Sequence, residues 1–269
     1  AHMATEPNCG TPLALVNNAP QVAAGNDYVI PANTPFVLKG AGADLDSDPL
    51  NYTWEQIDLG TESSSPATMV DDGSRPLFRF VAPTSVPERT LPSLTSMLTN
   101  TLAIGEAWPA TNRDLNFRLT ARDGKGGVAS DDMKIQVVNT GKAFALTSPV
   151  VTPLGAGKTQ TISWEVAGTN AAPINCSKVD LYMTRDEGAN WTPLASGKPN
   201  SGSASVTIPA GQDGTARLKV ACSDNIFFAI SPLKLSVTQR GEEGGSGGGG
   251  ALGFWTLALA LLGWQRRRA

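Results

Sequence analysis

Short segments of alternating apolar and polar residues recur along the chain. In LNFRLTAR, Leu115, Phe117 and Leu119 face one way and Asn116, Arg118 and Thr120 the other, which is the period of two of a half-buried β-strand. The same reading predicts strands at Pro20 to Ala24, Tyr28 to Ile30, Phe36 to Gly40, Asn51 to Ile57, Leu77 to Val81 and Lys134 to Val138. Between Thr61 and Arg113 the pattern lapses, and this stretch reads as a long insertion. Within it, Leu94, Met97 and Leu98 stand at helical spacing and predict a short helix over Leu91 to Asn100. After Ala143 the segments FALTSP, TQTISWEV, SKVDLYMTRD, SASVTIP, TARLKVAC and LKLSVT predict six or seven strands. Arg185 to Trp191 forms the turn between two of them. Trp164 is in phase with Ile162 and Val166, so all three are expected in the core.

Many short strands punctuated by turn residues, with one short helix, predict an all-β chain of two tandem immunoglobulin-like or fibronectin-III-like β-sandwiches. Trp54 in NYTWEQ suits the central-strand aromatic of such a sandwich. Residues 1–19 read as a cloning remnant followed by a linker. Residues 20–140 form the first sandwich with its insertion, and 141–238 the second. Residues 239–250 are a glycine-rich linker, and 251–269 a short hydrophobic helix with a basic end.

Cysteine placement adds a constraint. Cys176 precedes the strand SKVDLYM and Cys222 ends TARLKVAC; in this class of sandwich those strands are antiparallel neighbours, so a disulfide is sterically sensible. Two buried thiols are the other reading, and Cys9 is left over. Net charge is −3, which offers no electrostatic footprint for nucleic acid. The single histidine is His2, inside the remnant, so a Ser-His-Asp triad, a Cys-His dyad and an HExxH zinc site have no residues to build them. PLGAGKT, ending at Thr159, imitates a phosphate loop, but it lacks the motif's first glycine and falls between strands. No catalytic residue is assigned.

Asp44, Asp46 and Asp48 stand at alternate positions and present hard oxygen ligands of the kind calcium takes, with Asp27 and Asp123 expected near the same end. An EF-hand is excluded, since Pro49 sits where its glycine belongs. A calcium site and a solvated turn whose aspartates bond their own backbone both remain open. Trp108 and Trp191, in loop-like contexts, are candidates for an aromatic ligand platform or for edge packing.

The end of the chain combines three blocks. Gly244, Gly245 and Gly247 to Gly250 with Ser246 read as a flexible linker, because glycine loses most entropy when fixed. Ala251 to Trp264 is uncharged and apolar; at about 1.5 Å per residue it covers about 21 Å of a hydrocarbon core about 30 Å thick, a weak anchor. Arg266, Arg267 and Arg268 mark a cytoplasmic side, and Phe254, Trp255 and Trp264 belong to the anchor and its interfaces.

These blocks, GGSGGGG, ALGFWTLALALLGW and QRRR, resemble the GlyGly-CTERM sorting tail of Gram-negative bacteria. The resemblance implies a rhomboid-type intramembrane protease, rhombosortase, as partner, with processing around Gly248, Gly249, Gly250 and Ala251. It also implies an exported chain, tethered first to the inner membrane and later found at the cell surface or outside. The turn around Asp44 resembles the D-x-D-x-D-x-L-x-Y-x-W turn of polycystic-kidney-disease (PKD) and cadherin-like modules. VAAGNDYVIPANTPFVLKGAGADLDSDPLNYTWEQIDLG, LNFRLTARDGKGGVASDDMKIQV, TQTISWEVAGTNAAPINCSKVDLYMTRDEGANW and NIFFAIS resemble the segment that follows the catalytic domain in bacterial reprolysin-like zinc metallopeptidases. That likeness implies an upstream protease domain as a further partner, and a non-catalytic accessory role for these residues. A surface adhesin or carbohydrate-binding protein with the same tail is the other function to be tested.

Overall fold

The computed structural model describes residues 17–62, 69–149, 153–211 and 213–239. The tail blocks, their glycines, tryptophans and arginines, and Cys9 lie outside the described residues. Within the described residues no helix is long and apolar enough to cross a membrane.

The chain is all-β, with two tandem immunoglobulin-like sandwiches. In the first, one sheet holds β2 (Tyr28–Pro31), β8 (Val128–Val138), β7 (Arg113–Arg122) and β5 (Asn51–Gln56), in that order. β2 runs parallel to β8, and the other pairs are antiparallel. β3 (Phe36–Lys39) and β6 (Glu88–Leu91) make the opposing sheet, and β1 (Gln21–Ala23) pairs with β4 (Ala41–Ala43). Leu115, Phe117 and Leu119 all point inward and are fully buried, as their alternation requires. Phe36, Phe78 and Phe117 meet at the centre with ring centroids 5.9 to 6.2 Å apart. Trp54 is buried, and its indole N–H donates to Pro87 O at 3.1 Å.

The second sandwich repeats this plan. β10 (Leu154–Gly155) runs parallel to β17 (Leu235–Thr238), followed in the sheet by β15 (Gly214–Cys222), β12 (Lys178–Thr184) and β13 (Thr192–Pro199), with β16 (Phe228–Ile230) also on β15. The facing sheet is β14 (Ser203–Thr207), β11 (Thr159–Glu165) and β9 (Ala145–Ser148). Ile162 and Trp164 are buried and Val166 is packed against the core.

Two expectations change. Leu77 to Val81 is not a strand: Leu77 and Phe78 are buried, but their partner is the turn segment around Glu106, so pairing stops at the single bridge Phe78 to Glu106. The insertion is shorter than it reads, because β6 lies inside it and completes the second sheet. ERTL, flanked by Pro87 and Pro92, has no apolar alternation to reveal it. The helix α1 occupies Leu94–Thr99; Ser93 caps its start, accepting from Ser96 N, and Asn100 ends it in the left-handed region at φ 56°.

The sandwiches are joined by more than the linker. The segment Asn225 to Phe228 adds to the edge of β3: Val37 N donates to Ile226 O at 2.9 Å, and Phe228 N donates to Pro35 O at 3.0 Å. Phe144, just before β9, packs edge-on against Phe227 at 5.1 Å, and its N–H donates to Thr34 Oγ1. Arg217 donates to Leu98 O at the end of α1 and to Ser231 O, both at 2.8 Å. Buried residues of both sandwiches form one continuous core.

Candidate functional site

The acidic turn is built by its own backbone. Asp44 Oδ1 accepts from Asp46 N at 2.8 Å and Asp48 N at 3.2 Å, while Asn18 donates to Asp46 through its backbone and side chain. One oxygen from each of Asp44, Asp46 and Asp48 lies within 4.8 Å of the others, a spacing a divalent cation could bridge. Asp44 Oδ2 is enclosed and has no hydrogen-bond partner among the described residues. Asp123 stands at the same end, held through Asn17, the neighbour of Asn18, but is not one of the grouped ligands. It accepts from Lys125 N and Gly127 N as well, and a Cβ on Gly127 would sit 2.0 Å from its Oδ2, so that turn requires glycine. Asp27 is engaged elsewhere, accepting from Lys134 N at 2.7 Å. The residues present thus suit calcium by type, and the turn also stands by self-bonding.

A second polar centre ties the insertion to β7. Asp71 accepts from Gly73 N, Ala110 N, Thr111 N, Thr111 Oγ1 and Arg113 Nη1, the last at 2.8 Å, and the ion pair is buried, with side-chain exposures of 0% and 6%. Burial alone would raise the Asp71 carboxyl, but the hydrogen bonds from Gly73, Thr111 and Arg113 outweigh it and hold the carboxyl below its ordinary value. Glu106, also buried, accepts from Ser93 N and Ser96 Oγ and holds the start of α1. Both carboxylates are engaged by the hydrogen bonds that fix these loops.

In the second sandwich Cys176 and Cys222 are disulfide-bonded with Cα atoms 6.0 Å apart. The antiparallel register that sets Val179 opposite Cys222 brings them together. Beside the bridge, Trp164 Nε1 donates to Asn200 Oδ1 at 2.8 Å, and Asn200 Nδ2 donates to Thr169 Oγ1 and Cys176 O. A disulfide in tandem immunoglobulin-like sandwiches is the chemistry of a surface or extracellular chain.

A concavity of about 620 Å³ lies between the sandwiches. Val37, Lys39, Glu88 and Thr90 line it from the first sandwich, with Tyr28 and Leu94; Asp180, Tyr182, Trp191, Lys219 and Phe228 line it from the second. The register that sets Tyr182 opposite Lys219 places both on the outer face of their sheet. The Lys219 ammonium stands 4.1 Å from the ring centroid of Trp191, 4.7 Å from Tyr182 and 5.8 Å from Phe228. Burial, with Lys39 nearby, pushes it down to about 8. Burial, followed by Asp180, raises the Tyr182 hydroxyl. Of the two tryptophans picked from sequence, Trp191 enters this cleft, whereas Trp108 is half-buried in a loop away from it. Lys219 and Tyr182 escape sequence reading because an outward-facing polar phase on a strand looks like ordinary solvated surface.

No protein-family model matches the sequence, and neither does any curated protein. Solved structures resemble it weakly. The N-terminal Ig1-2 module of the Drosophila receptor protein tyrosine phosphatase DLAR is 10% identical with a TM-score of 0.41, covering 82% of this chain and 98% of that one. Drosophila N-cadherin EC1-4 is 12% identical with a TM-score of 0.28, over 84% of this chain and 50% of that one. Bacteroides ovatus SGBP-B, solved with a mixed-linkage heptasaccharide, is 12% identical with a TM-score of 0.24, over 83% and 48%. The fold class rests on the strand order described above.

Proposed function

We propose that this chain is the non-catalytic C-terminal region of an exported bacterial metallopeptidase, acting as a spacer or substrate-engaging module and carrying a cleavable surface-sorting tail. The observation that carries the reading is the sequence of glycine run, short apolar block and three arginines following two sandwiches joined by strand pairing and a shared core. A chain whose sole histidine is His2 has no means of building the zinc site itself, so the chemistry belongs to a domain upstream. The disulfide supports export, and the tail supports an inner-membrane precursor processed by a rhomboid-type protease near Gly250 and Ala251. Two measurements test this. The parent gene should encode an HExxH stretch before these sandwiches, and the surface-released protein, by mass spectrometry, should lack GFWTLALALLGW. A parent without the zinc motif sinks the protease reading, and a retained apolar block sinks the sorting reading. A surface adhesin or carbohydrate-binding protein is the second reading, favoured by the aromatic-lined cleft.

A further inference from the structure

The cleft between the sandwiches holds polar groups that make no hydrogen bond to the described residues. Among the described residues, the Lys219 ammonium has three ring faces beside it but no hydrogen bond and no ion pair. The Trp191 indole N–H and the Tyr182 hydroxyl likewise bond no described residue. Trp54 and Trp164, by contrast, both donate to oxygens of the protein. Glu88 accepts no hydrogen bond from a described side chain, and Lys39 Nζ, 4.0 Å away, is its nearest cation. Donors and acceptors are therefore both available to an occupant, around a cavity within the roughly 300–1,000 Å³ of small-molecule sites.

The charges around the cavity narrow its chemistry. Lys39 and Lys219 stand against Glu88, Asp180 and Asp224, so the lining does not favour an anion. A purely apolar occupant would strand the ammonium and the carboxylates without partners, at a cost for each group desolvated. A neutral molecule rich in hydroxyls meets both demands: its oxygens accept from Lys219, Trp191 and Tyr182, its hydroxyls donate to Glu88, and its C–H faces lie on the rings. The walls are also preformed. Pairing of Asn225 to Phe228 with β3, and the Arg217 bond to Leu98 O, fix one sandwich against the other before any ligand arrives.

We infer that the inter-sandwich cleft is a binding site for a neutral oligosaccharide, with Trp191 and Tyr182 as its aromatic wall and Lys219 and Glu88 as its polar anchors. This rests on the second reading above and names its site and ligand class; it requires neither the tail nor an upstream protease. The test titrates the full chain with tetrasaccharides of cellulose, mannan, xylan and chitin, and with an oligogalacturonate, read by tryptophan fluorescence and calorimetry. At least one neutral sugar should bind saturably. Lys219→Met and Trp191→Leu should each weaken it by about tenfold or more, and Trp108→Leu should leave it unchanged. Glu88→Gln, at an exposed position, should retain the fold and also weaken binding; thermal melts check the fold of every variant. The inference is overturned if no neutral sugar binds at about 10 mM, a concentration that still reveals millimolar affinity. It is equally overturned if only the galacturonate binds, or if binding survives the substitutions at Lys219, Trp191 and Glu88.

Discussion

In the first sandwich the connection from β5 to β6 runs from Gln56 to Glu88 and is held down by carboxylates; in the second, β13 passes to β14 through only a few residues, from Pro199 to Ser203. Both sandwiches set their first parallel strand on the last, β2 on β8 and β10 on β17. The first secures this long crossover with Asp71 against Arg113, and the next connection, from β6 to β7, with Glu106 against Ser93 and Ser96, all noncovalent. The second is cross-linked between β12 and β15 and has one buried amide beside the bridge. One strand plan therefore tolerates two kinds of closure. A long insertion must supply hydrogen-bond partners for its own backbone, whereas a short-turned sandwich gains most from a bond that restricts the unfolded chain.

Substitutions can break this contrast. The largest effect is expected from Asp71→Asn, which leaves the Arg113 guanidinium buried without its counter-charge and should cost about 3–5 kcal/mol in denaturant unfolding. Because the folded carboxyl lies below its ordinary value, its contribution is full above the ordinary carboxylate range and is lost as pH falls through it toward the folded value. Wild type and variant should therefore converge in acid; a gap that persists there would remove the ion pair as the cause.

Cys176→Ser with Cys222→Ser should cost about 4 kcal/mol, from the chain-entropy estimate for a loop of 46 residues. Hydrogen exchange should show the loosening in the second sandwich and in Ser223 to Phe228, which follow Cys222 and reach the first. Unchanged protection at Val37 and Phe228, whose amides bond across the two sandwiches, would show that the strand addition at β3 does not couple the two. Asn200→Ala removes the acceptor of Trp164 Nε1 and should cost about 1–3 kcal/mol. Combined with the cysteine pair it should be non-additive, since Asn200 also donates to Cys176 O.

The smallest effect is expected at the acidic turn. Asp44→Ala loses the acceptor of two backbone N–H groups and should cost about 1 kcal/mol, within the usual range for such local caps. Melting wild type with and without calcium sharpens the same point. A rise in melting temperature that vanishes in Asp44→Ala would assign the three carboxylates to an ion, and an unchanged melt would leave them to the backbone.

Sequence determined the strands with a clear period, because the pleat forces residues such as Leu115, Phe117 and Leu119 to one face wherever the strand sits. It also determined the sandwich class and the placing of two cysteines at facing strand ends, which follow from turn spacing and from antiparallel pairing. The fold alone decided what depends on partners distant in the chain. ERTL became β6 because β3 offered an open edge, and RPLFRFV did not become a strand because its neighbour is a turn. Asp71 and Arg113 gave no local sign of pairing. The cleft was illegible for the same reason: Lys219 and Trp191 read as separate surface residues until strand addition at β3 turned a sheet face into the wall of a cavity.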